Sequence, residues 1–525
     1  MRNVRILNIN FASIVRFFPA LLSGFLMAIA FPGINLYPIA FVGLVPLFIL
    51  IKDMNKKERL AAGTLAGLTQ YIFLVYFLVT TLCVYGKLNI FVAVSALILI
   101  CLYFALYFGL FAFFMGFFKF NSLFMPFIAA SLWVALEYLR TYIFSGFPWC
   151  LTGYSQYLNN NFIQIVDITG IYGISFAIIF INALIALIII NFSHDKKKVL
   201  KSGIFIILII VLFYSYGIIR HKNIDNQIQT ASYAKVAVIQ GDIRQDVKWD
   251  SKYINTTLYR YFNLSQKACE EKPDLIIWPE TALPFYYGYE KQLSDKVDAF
   301  IRYSKTNYLI GSPAFKRTKT KIYYYNRVYM LNRFSIETGR YDKIHLIPFG
   351  EYVPLGKYLA FLGKLTAQSG DFTSGTASPS PLSFGTSSAG VLICFEIVFP
   401  SLSRKFVQNG AEILVTITND GWFGKSSAAE QHFSQAVFRA IENRRSLARS
   451  ANTGISGFID PNGNVLEKSN LFVEAELVKK LPILKIKTFY TSFGDVFAIL
   501  CCIAIVICFM VNTIIIPKNK SFELN

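Results

Sequence analysis

A chain of 525 residues exceeds one ordinary domain and points to two or three. Hydrophobic residues make up 54% and charged residues only 16%, with 50 Phe and 30 Tyr, which excludes an ordinary cytosolic enzyme and calls for runs that cross a bilayer. The net charge of +20 sits largely in short clusters beside apolar runs, such as KDMNKKER (52–59) and HDKKKVLK (194–201), a placement that favours membrane topology over a nucleic-acid surface.

In chain order, seven candidate spans precede residue 220, at roughly 14–31, 37–51, 61–84, 88–118, 123–140, 162–192 and 202–219. An eighth runs from about 493 to 516. The fourth and sixth are long, so tilt or kinks are expected there. The first lacks a convincing small-residue cleavage site and is followed almost at once by the second, so it is not read as a cleavable signal peptide. With the amino terminus (Arg2, Arg5) cytoplasmic, the basic loops at 52–59 and 195–201 and the tail with Lys518 and Lys520 fall on the same side. The segment between spans seven and eight then lies outside, and both termini lie inside. Arg220, Lys222, Lys485 and Lys487 flank that outer segment and speak weakly against this, but long domains translocate largely regardless of charge.

From about 230 to 488 the chain changes character. Short β-branched and aromatic runs, KVAVIQ (235–240), LIIWPE (275–280), YLIGS (308–312), VLIC (391–394) and ILVTITND (413–420), alternate with polar, helix-like stretches. Strands buried on both faces and alternating with helices indicate an α/β domain. The predicted boundaries are 1–225 for a seven-helix membrane domain, 230–488 for the α/β domain and 490–525 for a final transmembrane helix and tail.

Eight scattered cysteines and four histidines contain no CxxC pair and no Cys/His cluster, so neither a structural metal nor a disulfide framework is expected. Reactive groups do stand at strand ends and loops of the α/β segment: Glu280 after LIIWP, Lys343 in YDKIHLIPFGEYVP and Cys394 after VLI. Ligand-facing groups in open α/β folds gather at the carboxyl ends of strands, so Glu280 and Cys394 can meet in one pocket. A carboxylate there can act as general base to a thiol, and an ammonium can stabilise an oxyanion, as can the backbone N–H of Phe395. Taken singly, each residue has a blander role: Cys394 as packing, Glu280 as a turn cap, Lys343 as a solvated charge, and Glu351 and Glu396 as ion-pair partners.

WPET around Glu280, DKIHLIPFGEYVP around Lys343 and VLICFE around Cys394 resemble, in the same order, the three catalytic motifs of the carbon–nitrogen hydrolase (nitrilase) superfamily. TNDGWFG (418–424) and the stretch 431–460 look like its C-terminal signature. The resemblance implies an αββα sandwich, with Glu280 as general base and acid, Lys343 as oxyanion stabiliser and Cys394 as nucleophile. Spans before and after such a domain, with GFPW (146–149) and QGDIRQDVKW (240–249), resemble the apolipoprotein N-acyltransferase family over nearly the whole chain. That resemblance implies ping-pong transfer of an sn-1 acyl chain from a phospholipid, typically phosphatidylethanolamine. The acceptor would be the N-terminal amine of diacylglyceryl-cysteine in apolipoproteins, at the periplasmic side of the bacterial inner membrane. No cofactor is expected. Glu351 and Glu396 match further glutamates of the family, while Phe395 stands where tyrosine is common.

Residues 352–365 (YVPLGKYLAFLGKL) are expected to form a mobile lid over the thioester, with a packed helix–loop as the alternative. Trp149 and Trp249 are candidates to face the acyl chain, or are interfacial anchors. The rival functions are a membrane-tethered amidase with the same triad, and a non-catalytic scaffold or transporter. The scaffold would be expected to have lost at least one of the three residues, and the spans show no obvious ion path.

Overall fold

The computed structural model describes residues 11–353, 372–375 and 378–512, with side chains from residue 15 onward. The predicted lid therefore lies almost wholly outside the described residues.

The N-terminal part is helical. Among the described residues, three helices are long and apolar enough to cross a membrane: Ile90–Met115, Ile171–Asn191 and Lys196–Gln229. A fourth is made if Lys56–Val75 and Phe77–Tyr85, bent by 52° at their join, count as one span. Val15–Ile29, Tyr37–Ile51 and Val496–Met510 are apolar but shorter. A helix of 15 residues is about 22 Å long, less than the ~30 Å of a bilayer core.

Two predicted runs differ in form, each for a local reason. The sixth breaks at Gly170, whose φ of 61° separates Val166–Thr169 from Ile171–Asn191. The break places Asp167 inward, where its carboxylate accepts from Arg220, Arg444 and Tyr216. The seventh continues past its apolar part to Gln229 and delivers the chain almost directly into the first strand.

The α/β part holds two six-stranded sheets. The first has the order β12-β1-β2-β3-β4-β5, from Ala475–Ile483 (β12), Ser232–Gln240 (β1), Leu275–Ile277 (β2), Asn307–Arg317 (β3), Ile322–Leu331 (β4) and Glu337–Asp342 (β5). The second has the order β11-β10-β9-β8-β7-β6, from Val465–Lys468 (β11), Gly457–Ile459 (β10), Leu447–Ala451 (β9), Ile413–Thr418 (β8), Ser387–Ile393 (β7) and Leu382–Phe384 (β6). Parallel pairs β1–β2–β3 and β7–β8–β9 form the two centres.

Alternation along β1 explains the layering. Val236 and Val238 join the core shared with the second sheet, while Ala237 and Ile239 pack with Leu258, Tyr261, Val297 and Ile301 of the helices Ile254–Glu270 and Lys291–Ser304. The sheets thus face each other with helices outside, the αββα sandwich that the resemblance implies. Ser450 of β9 crosses the interface, its hydroxyl 2.9 Å from the Ile239 carbonyl and 3.1 Å from that of Ile277.

Candidate active site

The carboxyl ends of β2 and β7 bring Glu280 and Cys394 to the same place. After β2 the chain turns sharply at Thr281, a non-glycine residue held at φ 45°. The turn presses against β3 so closely that a Cβ on Gly311 would meet the Pro279 carbonyl at 2.5 Å and the Thr281 nitrogen at 2.6 Å. Cys394 follows β7 at φ 53° and opens the short 3₁₀ helix Cys394–Val398. A left-handed cysteine is costly and persists only where its surroundings over-determine it.

Lys343 follows β5 and is buried, its backbone N–H bonded to the carbonyl of Asn326 at 2.9 Å. Its ammonium lies 2.9 Å from Glu351 and 3.7 Å from Glu280. Asn326 bridges the same two carboxylates through one amide nitrogen, 2.7 Å from Glu280 and 3.1 Å from Glu351. Glu280 also accepts from the Asn419 backbone at 3.0 Å, and Glu351 from the Ile347 backbone at 2.9 Å. Burial alone would lower the Lys343 pKa, but the carboxylates of Glu351 and Glu280 outweigh it and hold the ammonium firmly charged. Burial, reinforced by the Glu280 charge, pushes the Cys394 thiol well above its ordinary value, against the pull of Lys343. Burial therefore favours the thiol over the thiolate at Cys394.

Glu396 does not point at an open site. Its Oε1 accepts from Tyr341 Oη (2.9 Å) and from the backbone of Ile344 (2.6 Å) and His345 (3.1 Å). Its Oε2 accepts from Ile393 at 2.7 Å. The side chain thus ties the end of β7 to the loop carrying Lys343, and burial pushes its carboxyl up to about 7.

Trp149 is buried, which sets it apart from an anchor in the membrane interface. Its indole stacks on Phe395 (centroids 6.3 Å apart, 14° between planes) and donates to Gln431 Oε1 at 2.8 Å. Gln431 in turn donates to the Leu74 carbonyl at 3.1 Å, just before the bend between Lys56–Val75 and Phe77–Tyr85. The loop that begins at Cys394 is thereby wedged against the apolar helices. Trp249 is half-buried, and its neighbour Lys248 is the residue that enters the site. Lys248 Nζ donates to the Glu280 carbonyl (3.1 Å) and to Thr281 Oγ1 (2.7 Å), and burial lowers its pKa to about 8.

Sequence reasoning missed Lys248, Asn326, Asp420, His432 and Arg449. Four of the missed residues stood inside quoted stretches, Lys248 in QGDIRQDVKW, Asp420 in TNDGWFG, and His432 and Arg449 in 431–460, where their side chains had no assigned partner. Asn326 lies mid-strand in a tyrosine-rich run and carries no local signal.

Comparison with known proteins follows the same division of the chain. Residues 23–184 match the apolipoprotein N-acyltransferase N-terminal domain, and residues 235–482 match the carbon-nitrogen hydrolase family. An apolipoprotein N-acyltransferase of Geobacter metallireducens is 39% identical over 92% of both chains. One of Haemophilus influenzae is 32% identical over 91% of both. Among solved structures, a carbon-nitrogen hydrolase from Helicobacter pylori G27 covers 48% of this chain and 89% of its own, at 18% identity and a TM-score of 0.38.

Proposed function

The chain belongs to the apolipoprotein N-acyltransferase family, and from that premise we propose that Cys394 carries the acyl group as a thioester between two lipid substrates. The enzyme N-acylates lipoproteins. In our reading the donor is a phospholipid, with phosphatidylethanolamine as the expected headgroup, and the acceptor is the amine of an N-terminal diacylglyceryl-cysteine.

In the first half-reaction Glu280 takes the Cys394 proton and the sulfur attacks the sn-1 ester carbonyl. Lys343 and the Phe395 N–H receive the developing oxyanion. As the tetrahedral intermediate collapses, the C–O bond breaks and Glu280 returns the proton to the leaving lysophospholipid. In the second half-reaction the acceptor amine attacks the thioester, Glu280 takes the amine proton, and the C–S bond breaks. The proton then returns to the sulfur, so no net proton is gained or lost at the site. Glu351 and Asn326 keep Lys343 and Glu280 in register, and Glu396 supports the nucleophile's loop.

The observation that carries this reading is the stacking of Trp149, from the apolar helical part, on Phe395 beside the nucleophile. A site wedged between sheets and apolar helices suits substrates whose chains stay in lipid. Moving an acyl chain through water costs about 0.8 kcal/mol for each exposed CH₂. We place a seven-helix membrane domain at 1–225, the catalytic domain at 230–488 and a last transmembrane helix and tail at 490–525, eight crossings in all. The catalytic domain then lies on the periplasmic face of the inner membrane, with both termini cytoplasmic.

The test is transfer. Purified protein in detergent receives a phospholipid labelled in its sn-1 chain and a diacylated lipopeptide with a free N-terminal amine. Label on the lipopeptide amine supports the proposal; label released only as free fatty acid overturns it in favour of a hydrolase.

A further inference from the structure

One buried cluster that the acyl-transfer steps leave unused touches the nucleophile's own peptide bond. His432 Nε2 lies 3.1 Å from the carbonyl oxygen of Cys394. Its Nδ1 faces Asp420 Oδ1 at 2.9 Å and the Arg449 guanidinium at 2.9 Å. Arg449 also meets Asp420 Oδ2 at 2.8 Å, and the Thr418 hydroxyl donates to Asp420 Oδ1 at 2.9 Å. All four side chains are no more than 2% exposed. The wall behind them is tight: a Cβ on Gly454 would come within 2.3 Å of Asp420 Oδ2. Trp149 closes the other side, its ring 5.4 Å from that of His432.

Burial and the Arg449 charge keep His432 neutral, while Arg449, against the effect of burial, holds Asp420 well below the carboxylate range. With its Nδ1 lone pair accepting from Arg449, the neutral imidazole carries its one proton on Nε2 and donates it to Cys394, while Asp420 holds Arg449 and makes no hydrogen bond to the ring. That carbonyl belongs to the same planar unit as the Phe395 N–H. Across a trans peptide the C=O and N–H point in opposite directions, and no described peptide bond is cis. Fixing the carbonyl on His432 therefore fixes the N–H on the opposite side. As the second residue of its short helix, Phe395 has no carbonyl within that helix to bond.

We propose that His432, held at Nδ1 by an Arg449 that Asp420 fixes in turn, is a positioning residue that aims the Phe395 N–H as an oxyanion donor by gripping the other side of the Cys394–Phe395 peptide. This rests on the acyl-transfer reading above.

Two rates at Cys394 separate aiming from mere scaffolding. Thioester formation from a labelled phospholipid passes through an oxyanion; S-alkylation by iodoacetamide displaces iodide at a saturated carbon and forms none. His432→Leu is expected to slow thioester formation at least about 30-fold, part of the ~10²–10³ that a whole oxyanion donor supplies. Its alkylation rate should stay that of wild type, and His432→Gln, which keeps an N–H near the Nε2 position, should recover most of the loss. If His432→Leu does not fold, His432→Phe keeps a flat ring against Trp149, lacks both ring nitrogens and so the donor to Cys394, and should give the same split. Parallel loss of both rates, an undiminished thioester rate, or no recovery in His432→Gln overturns the proposal. No thioester on wild type would instead overturn the acyl-transfer reading itself.

Discussion

The Lys343 ammonium lies 2.9 Å from the Glu351 carboxylate, and both groups are buried. Glu351 is therefore a counter-ion first: it keeps a second negative charge beside a cation that Glu280 alone would hold at 3.7 Å. Removing one partner of a buried pair typically costs about 3–5 kcal/mol, because the other charge stays behind. Glu351→Ala is expected to lose about that much in denaturant unfolding in detergent. Glu351→Gln should lose less, since its amide oxygen can still accept from Asn326 or Ile347. Wild-type unfolding in Glu351→Ala would remove the counter-ion role.

The raised thiol of Cys394 sets a pH profile. The neutral thiol is the favoured form through neutral pH, so only a small thiolate fraction reacts, and that fraction grows about tenfold per pH unit below the pKa. Alkylation of Cys394 should rise steadily with pH and show no plateau below the ordinary thiol value of 9.0. Lys343→Met removes the ammonium that favours thiolate and should slow alkylation at every pH. A plateau near neutrality would mean a preformed thiolate.

Lys248 makes stability depend on pH in the opposite sense to Cys394. Its folded pKa of about 8 lies below the ordinary 10.5, so between those values the unfolded chain binds more protons and stability rises with pH. The rise is at most about 1.4 kcal/mol per pH unit. Lys248→Met should lack it. The difference between the two proteins, measured by unfolding from pH 8 to 10, isolates this contribution from that of Cys394; a difference flat with pH counts against a buried, depressed lysine.

Glu396 accepts on both oxygens, and an amide cannot. Glu396→Gln can keep Tyr341, Ile344 and His345 on its oxygen, but its NH₂ then faces the Ile393 N–H, donor to donor. A loss of about 1–3 kcal/mol is expected for the unpaired buried groups. Thioester formation should fall with it, because the strand end that carries Cys394 loses its tie to the Lys343 loop. Full activity together with full stability in Glu396→Gln would show that the tie is dispensable.

Much of the site was legible because chemistry and local sequence coincide at Glu280, Lys343 and Cys394, each at a strand end or in a loop within a recognisable motif. The groups that hold them were not. Asn326, Asp420, His432 and Arg449 come from separate strands and helices, and only the folded sheets bring them together. Lys248 was passed over for Trp249 because an aromatic beside a lipid site suggests packing, whereas the fold turns the lysine inward. The β-branched runs marked β1, β2, β3, β7 and β8, the parallel centres buried on both faces, but not β9 or the flanking strands of either sheet, whose more polar sequences carry less of that signal. The helical part was harder: hydropathy registers apolar length but not the break at Gly170 or the bend after Val75, which arise where polar groups of the hydrolase part bond to the helices.

Whether Cys394 carries the acyl chain is read most directly by intact-protein mass after mixing with a phospholipid of defined sn-1 chain and no acceptor. The prediction is a gain of one acyl group on wild type that hydroxylamine removes, and no gain on Cys394→Ala. No gain on wild type, or an equal gain on Cys394→Ala, would contradict it.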